Sequence, residues 1–126
     1  MNREEILNMP AGRELDALVA EKVMGFIKLP FPGLPKYQKP TKDGVVPLYY
    51  VPNFSTDISA AWEVVEKMCD GDKNKFMIYR FGFGPKKPKI RWRVSWGQGW
   101  ENLLSYCDAE SAPLAICRAA LLTVCE

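Results

Sequence analysis

Two capped amphipathic stretches bracket the most strongly β-patterned part of this chain, and that order limits the folds open to it. In the run from Phe54 to Met68, extended by Cys69, the residues Ile58, Ala61, Trp62, Val65, Met68 and Cys69 line one face at helical spacing. Ser55 or Thr56 stands where a helix cap is expected. Asp57 then falls in the first turn, against the positive end of the helix dipole, and Asp70-Gly71-Asp72 ends the pattern. The run from Ser111 to Leu122 places Pro113 at or near the first helical position and predicts an inner stripe of Leu114, Cys117, Leu121 and Val124. Between the two, Phe76 to Phe83 is aromatic and β-rich. Lys89 to Trp96 alternates strictly, with Ile90, Trp92, Val94 and Trp96 on one face and Lys89, Arg91, Arg93 and Ser95 on the other. The Gly82 to Pro88 link reads as the hairpin connection between these strands.

Upstream, Leu15, Leu18, Val19 and Val23 recur at three- and four-residue steps between Gly12 and Met24, predicting a helix that Gly25 stops. From Leu29 to Pro52 the chain carries Pro30, Pro32, Pro35, Pro40, Pro47 and Pro52, which deny the backbone donors a long helix or central strand needs. That segment is expected to be loop or edge structure. Val45-Val46 and Leu48 to Val51 are its possible extended pieces, broken at Pro47. The expected fold is therefore α+β, an antiparallel β-sheet packed with helices as an α/β/α sandwich. Its order is helix, short strand, helix, β-hairpin, helix, in a single domain over residues 1–126. A chain of 126 residues with 48% apolar content buries enough surface to need neither disulfide nor metal.

Charge and residue chemistry remove several classes of function. A net charge of +2 argues against a protein built to coat duplex DNA. There is no histidine, and Cys69, Cys107, Cys117 and Cys125 lack C-x-x-C spacing, so neither a metal site nor a cofactor is expected. Acid–base or nucleophilic catalysis would need Asp, Glu, Lys, Tyr or Cys gathered by the fold, and no pair announces itself; the chain is not expected to be an enzyme. Cys107 is the one thiol expected to be exposed, in a loop where Asp108 raises its pKa. The Gly82 to Lys87 run lacks the Gly-Lys-Ser/Thr ending of a nucleotide-hydrolase loop. Met1 to Glu5 is of mixed charge, unlike a secretory leader. The apolar run from Ala112 to Cys125 is broken by Arg118 and too short to span a bilayer, so a soluble intracellular protein without membrane contact is expected.

What remains is binding. The backbone donors and hydroxyls of Ser55 and Thr56 suit a phosphate, Arg91 and Arg93 suit its bidentate clamping, and Trp96, Trp100, Tyr49 or Tyr50 suit stacking on a base. Each feature also has a plainer reading. Ser and Thr before an apolar helix are usually caps, alternating charge on a strand is usually its solvent face, and Trp92 is expected in the core. Arg91 and Arg93, roughly 6.6 Å apart on one strand face, would also suit single-stranded nucleic acid.

Ser-Thr-Asp-x-x-x-Ala-Trp-x-Val at Ser55 to Val64, with Ala-Pro-Leu-Ala-Ile-Cys-x-Ala-Ala-Leu at Ala112 to Leu121, resembles the phage α/β/α (ABA) sandwich family of small phage and prophage proteins. Arg13 to Gly25 fits the family's opening helix, while the proline-rich loop and the middle hairpin lie outside the resemblance. It implies a sandwich fold and a phage accessory role in the host cytoplasm. By analogy with small phage proteins that act as sponges, the expected function is anti-defence: binding and sequestering a nucleotide-derived immune second messenger, a cyclic nucleotide or ADP-ribose derivative, as a homo-oligomer. The expected ligand-binding residues are Arg91, Arg93, Trp96, Trp100, Ser55, Thr56 and Tyr49. The alternatives are a protein-interaction inhibitor of a host factor and a single-stranded nucleic-acid binder.

Overall fold

The computed structural model describes residues 2–30, 33, 35–69, 75–83, 89–97 and 103–125. Among these residues four helices and two antiparallel three-stranded sheets follow one another as α1 (Arg3–Asn8), α2 (Arg13–Lys22), β1 (Ile27–Lys28), β2 (Tyr37–Thr41), β3 (Gly44–Leu48), α3 (Ile58–Cys69), β4 (Lys75–Phe83), β5 (Lys89–Gly97), β6 (Leu103–Ala109) and α4 (Ala112–Cys125). This is the α+β arrangement of helices on antiparallel sheet that the sequence predicts, with elements added to the expected order.

The additions each have a local cause. In α1 the Oδ1 of Asn2 accepts from the Glu5 N–H at 2.9 Å, and Ile6 is buried beneath the helix. The proline-rich segment forms the first sheet, in the order β1-β2-β3. Its strand β3 runs unbroken through Pro47, which pairs with Gln38. The expected break at Pro47 does not occur because β3 lies at the edge of its sheet, where a missing N–H is tolerated. β6 adds a third strand to the expected hairpin, placing β5 at the centre of the second sheet with β4 and β6 on either side.

Helix α4 organises the core. Leu114, Ala115, Ile116, Cys117, Ala119, Ala120, Leu121 and Leu122 are all buried, so the helix is apolar nearly all round and not along the single stripe expected. The expected stripe member Val124 is exposed. The partners of α4 explain this: it touches β5, β6, α1, α2 and α3. Its small residues admit close neighbours and its larger ones fill the space between them. On β5, Val94 and Trp96 face this core, and Cys107 and Ala109 join them from β6. A ring contact chain runs from Trp62 on α3 to Phe76 on β4 at 5.7 Å, edge to face, and on to Trp96 at 5.5 Å.

Helix α2 ends as predicted. Gly25 takes φ +75, which an L side chain adopts only with strain, and the Phe26 N–H reaches back to the Ala20 carbonyl at 2.8 Å. Chain reversal there delivers Phe26 into the core beside Phe54, with ring centroids 6.3 Å apart.

Candidate functional site

The outer face of the second sheet carries Tyr79, Arg93 and Asp108 side by side, one from each strand. Arg93 donates from Nε to Asp108 Oδ1 at 2.6 Å and from Nη2 to Oδ2 at 2.8 Å, a bidentate pair. Its Nη1 donates to the Tyr79 hydroxyl at 3.2 Å, and the guanidinium lies 5.9 Å from that ring's centroid. The hydrogen bonds to Asp108 and then to Tyr79 raise its pKa still further above neutrality. Both carboxylate oxygens of Asp108 are thus engaged by the guanidinium. The expected phosphate clamp of Arg91 and Arg93 is therefore corrected: Arg93 is neutralised by a carboxylate on the adjacent strand, which leaves half-buried Arg91 without its expected partner for a two-arginine clamp.

Trp96 is corrected as well. It is 0% exposed, because strict alternation along β5 turns it into the core with Val94, and a base cannot reach its ring. Its indole N–H has no acceptor among the described residues. Trp100 lies outside the described residues.

Ser55 and Thr56 do not cap α3. The cap is Asp57, whose Oδ1 accepts from the Ser59 N–H at 3.0 Å while its carbonyl accepts from Ala61. Thr56 is exposed, and its N–H is bonded to the Asn53 carbonyl at 3.2 Å. Ser55 is fully buried and its groups are committed elsewhere. Its N–H donates to Asp16 Oδ1 at 2.8 Å, and its hydroxyl accepts from the Gly12 N–H at 2.9 Å. These bonds latch the segment before α3 to the start of α2. Ser55 is therefore no phosphate contact: it holds two elements together.

Beside this latch lies an open cleft of about 510 Å³, lined by Arg13, Asp16 and Ala17 of α2, Lys36 and Tyr37 around the start of β2, and Tyr49, Tyr50, Val51 and Asn53 of the β3–α3 loop. Arg13, Asp16 and Ala17 are three and four positions apart and so share one side of the helix. The loop leaves β3 at Leu48 with Tyr49 52% and Tyr50 78% exposed, two adjacent aromatic side chains with most of their surface unpacked. The size suits a mononucleotide-scale molecule. Two cationic groups, one carboxylate and three phenols give the wall the means to hold an anion, stack a ring and meet hydrogen-bonding edges.

Cys107 and Cys117 are buried thiols of low reactivity. Cys107 sits on β6 facing α4 and is 2% exposed, which corrects the expectation of an exposed loop cysteine. Burial first, and Asp108 only secondarily, pushes its pKa up to about 11, against the lowering influence of Arg118. Burial raises Cys117 further. Among the described residues no three His, Cys, Asp or Glu side chains gather as a metal site, and no helix is long and apolar enough to cross a membrane.

The family model of the phage ABA sandwich domain matches residues 17–121. This chain belongs to that family. Among curated proteins no relative matches. A solved structure of a phage protein from Bacillus cereus ATCC 14579 is similar over 94% of each chain, with a TM-score of 0.55 and 22% identity, a likeness of fold. The matched region takes in Lys36, Tyr37, Tyr49, Tyr50 and Asn53 of the cleft, with Arg13 and Asp16 just ahead of it.

Among the described residues expected to bind ligand, Tyr49 lines the cleft, together with Tyr50, the other tyrosine suited to stacking. Arg13, Lys36 and Asn53 went unsuspected, since each is an ordinary polar residue in its own segment and only chain folding gathers them. The one sequence signal was the Tyr49-Tyr50 pair in a stretch bounded by Pro47 and Pro52.

Proposed function

We propose that this phage ABA sandwich protein is a non-enzymatic binding module that sequesters a nucleotide-derived second messenger of host immunity, a cyclic nucleotide or ADP-ribose derivative, in the host cytoplasm. The observation that carries the reading is the cleft between α2, β2 and the β3–α3 loop, where Tyr49 and Tyr50 stand exposed beside Arg13 and Lys36. Exposed phenol rings favour stacking on a base, and a guanidinium with an ammonium favours phosphate. The absence of histidine and the raised pKa values of Cys107 and Cys117 favour capture over turnover. Self-association belongs to the same reading: Ile27, Val45 and Val46 expose apolar surface on the first sheet, away from the packed core.

Calorimetric titration of the purified protein with cyclic mono- and dinucleotides and ADP-ribose derivatives tests it. Binding is expected, with Tyr50→Ala weakening it by roughly 1–3 kcal/mol, the scale of one base-stacking contact. Arg13→Ala should weaken binding and flatten its salt dependence. No heat from any member of the panel would overturn the reading. Sedimentation of a monomer at working concentration would remove self-association from it.

A further inference from the structure

Asp16 is the one charged group in the cleft to which the reading above gives no task. It is 4% exposed, deep for a carboxylate, which is costly to bury unless hydrogen bonds compensate it. Only one of its oxygens is compensated. Oδ1 accepts from the buried Ser55 N–H at 2.8 Å, whereas Oδ2 has no donor among the described residues, and Asp16 is part of the cleft wall. The bond to Ser55 also fixes the carboxylate, because Ser55 is itself held by Gly12 at the start of the same helix. A carboxylate held by one buried bond in a cleft wall, with its second oxygen left unpaired, is an arrangement that selects for a donor.

We infer that Asp16 is a specificity-determining residue whose Oδ2 accepts an O–H or N–H from the bound nucleotide, either the free ribose hydroxyl or the exocyclic amine of the base. The inference rests on the cleft being the ligand site. It also sets the ligand's orientation. A phosphate placed beside Asp16 would be repelled, so the donor-bearing part of the ligand, not its anionic part, meets Asp16, while Arg13 and Lys36 supply the cationic groups of the wall. A ligand lacking the donor would shield the buried oxygen from solvent and leave it unpaired, and would bind at least about tenfold more weakly.

The two donors are separable with adenosine 3′,5′-cyclic monophosphate, whose 2′-hydroxyl is its one free sugar hydroxyl. Titrations would compare it with its 2′-deoxy analogue, which lacks that hydroxyl, and with the purine riboside cyclic monophosphate, which lacks the amine. Wild-type protein should bind one analogue at least about tenfold more weakly than the parent, and which one identifies the donor. In Asp16→Asn the amide oxygen can keep the Ser55 bond and present an NH₂ to the cleft, so the discrimination against the amine-less analogue should fall to within about twofold, since an exocyclic amine cannot accept from that NH₂. Binding of all three compounds within twofold by wild type, an arm that needs no variant, would overturn the inference while leaving the cleft reading intact. Full discrimination against the amine-less analogue persisting in a folded Asp16→Asn would do the same. If wild type ignores cyclic AMP but binds another panel nucleotide, the inference alone falls; if it binds none, the cleft reading falls with it.

Discussion

A side chain's chemistry in this protein is set less by its type than by what the neighbouring strand or helix places against it. Arg93 illustrates this: a guanidinium on an open strand face would be a ready phosphate contact, yet Asp108 on β6 and Tyr79 on β4 take up its donors. Arg93→Ala is therefore expected to leave nucleotide binding unchanged and to lower stability by no more than about 1 kcal/mol, the usual ceiling for a part-exposed pair. Chemical denaturation and calorimetry of the variant check both halves, and a collapse of binding would return the site to the strand face. Cys107 shows the same dependence through burial. Its folded pKa is raised from 9.0 to about 11, so the unfolded chain releases the proton first as pH rises. The stability conferred by the protonated, buried thiol is full below pH 9 and is lost progressively between about 9 and 11, at a slope approaching about 1.4 kcal/mol per pH unit. Cys107→Ala should show a shallower alkaline loss in denaturation midpoints across that window. Iodoacetamide at pH 8 should label Cys107 in unfolded protein and spare it in folded protein.

At the scale of elements, helical periodicity was the signal the chain stated most plainly. Leu15 and Val19 of α2 and Val23 just past its end are buried as their spacing predicts, as are Ala61, Val65 and Met68 of α3. Trp62 and Ile58, on the same expected face, remain half exposed because α3 meets the sheet at β4, where Phe76 receives only the edge contact with Trp62. Element ends were less legible. Ser55, Thr56 and Asp57 are all good cap residues, and only the tertiary bonds of Ser55 to Gly12 and Asp16 leave Asp57 to do the capping. Asp57→Ala should cost about 1 kcal/mol in thermal or chemical unfolding, and Thr56→Ala only a few tenths. The reverse ranking would assign the cap to Thr56. The first sheet was obscured because proline is read as a breaker, whereas Pro47 falls on an edge strand that tolerates it. In α1, by contrast, Asn2 and Glu5 stand at the spacing of a capping box, a legible signal that the mixed charge of the terminus masked.

Across the whole molecule, α4 is the element on which the others depend, and its apolar surface explains why the site could not be read from sequence. Because α4 meets α1, α2, α3, β5 and β6, the positions of α2 and of the loop after β3 follow from tertiary packing and from the Ser55 latch, and with them the meeting of Arg13, Lys36 and Tyr49. The attachment of α1 to this hub is more local. Besides the packing of Ile6, Leu7 and Met9, it is tied by Arg118, whose Nε and Nη2 both donate to the Met9 carbonyl, at 3.1 and 2.8 Å, just past the helix end. That carbonyl would otherwise compete for water, and a charge-assisted pair of bonds from a part-buried guanidinium holds the chain end at roughly 1.5–3 kcal/mol. Arg118→Ala should therefore free α1 before anything else. Hydrogen exchange is expected to accelerate over residues 3–9, while amides of α4 and β5, whose protection follows global unfolding, slow or quicken only with the smaller change in overall stability. Arg118→Lys, which keeps the charge but loses the two-pronged geometry, should fall between them. Uniform acceleration through α2, α4 and β5 in Arg118→Ala would instead make α1 part of one cooperative unit with the core, so that the N-terminal helix, short as it is, would be as necessary to the cleft as α2.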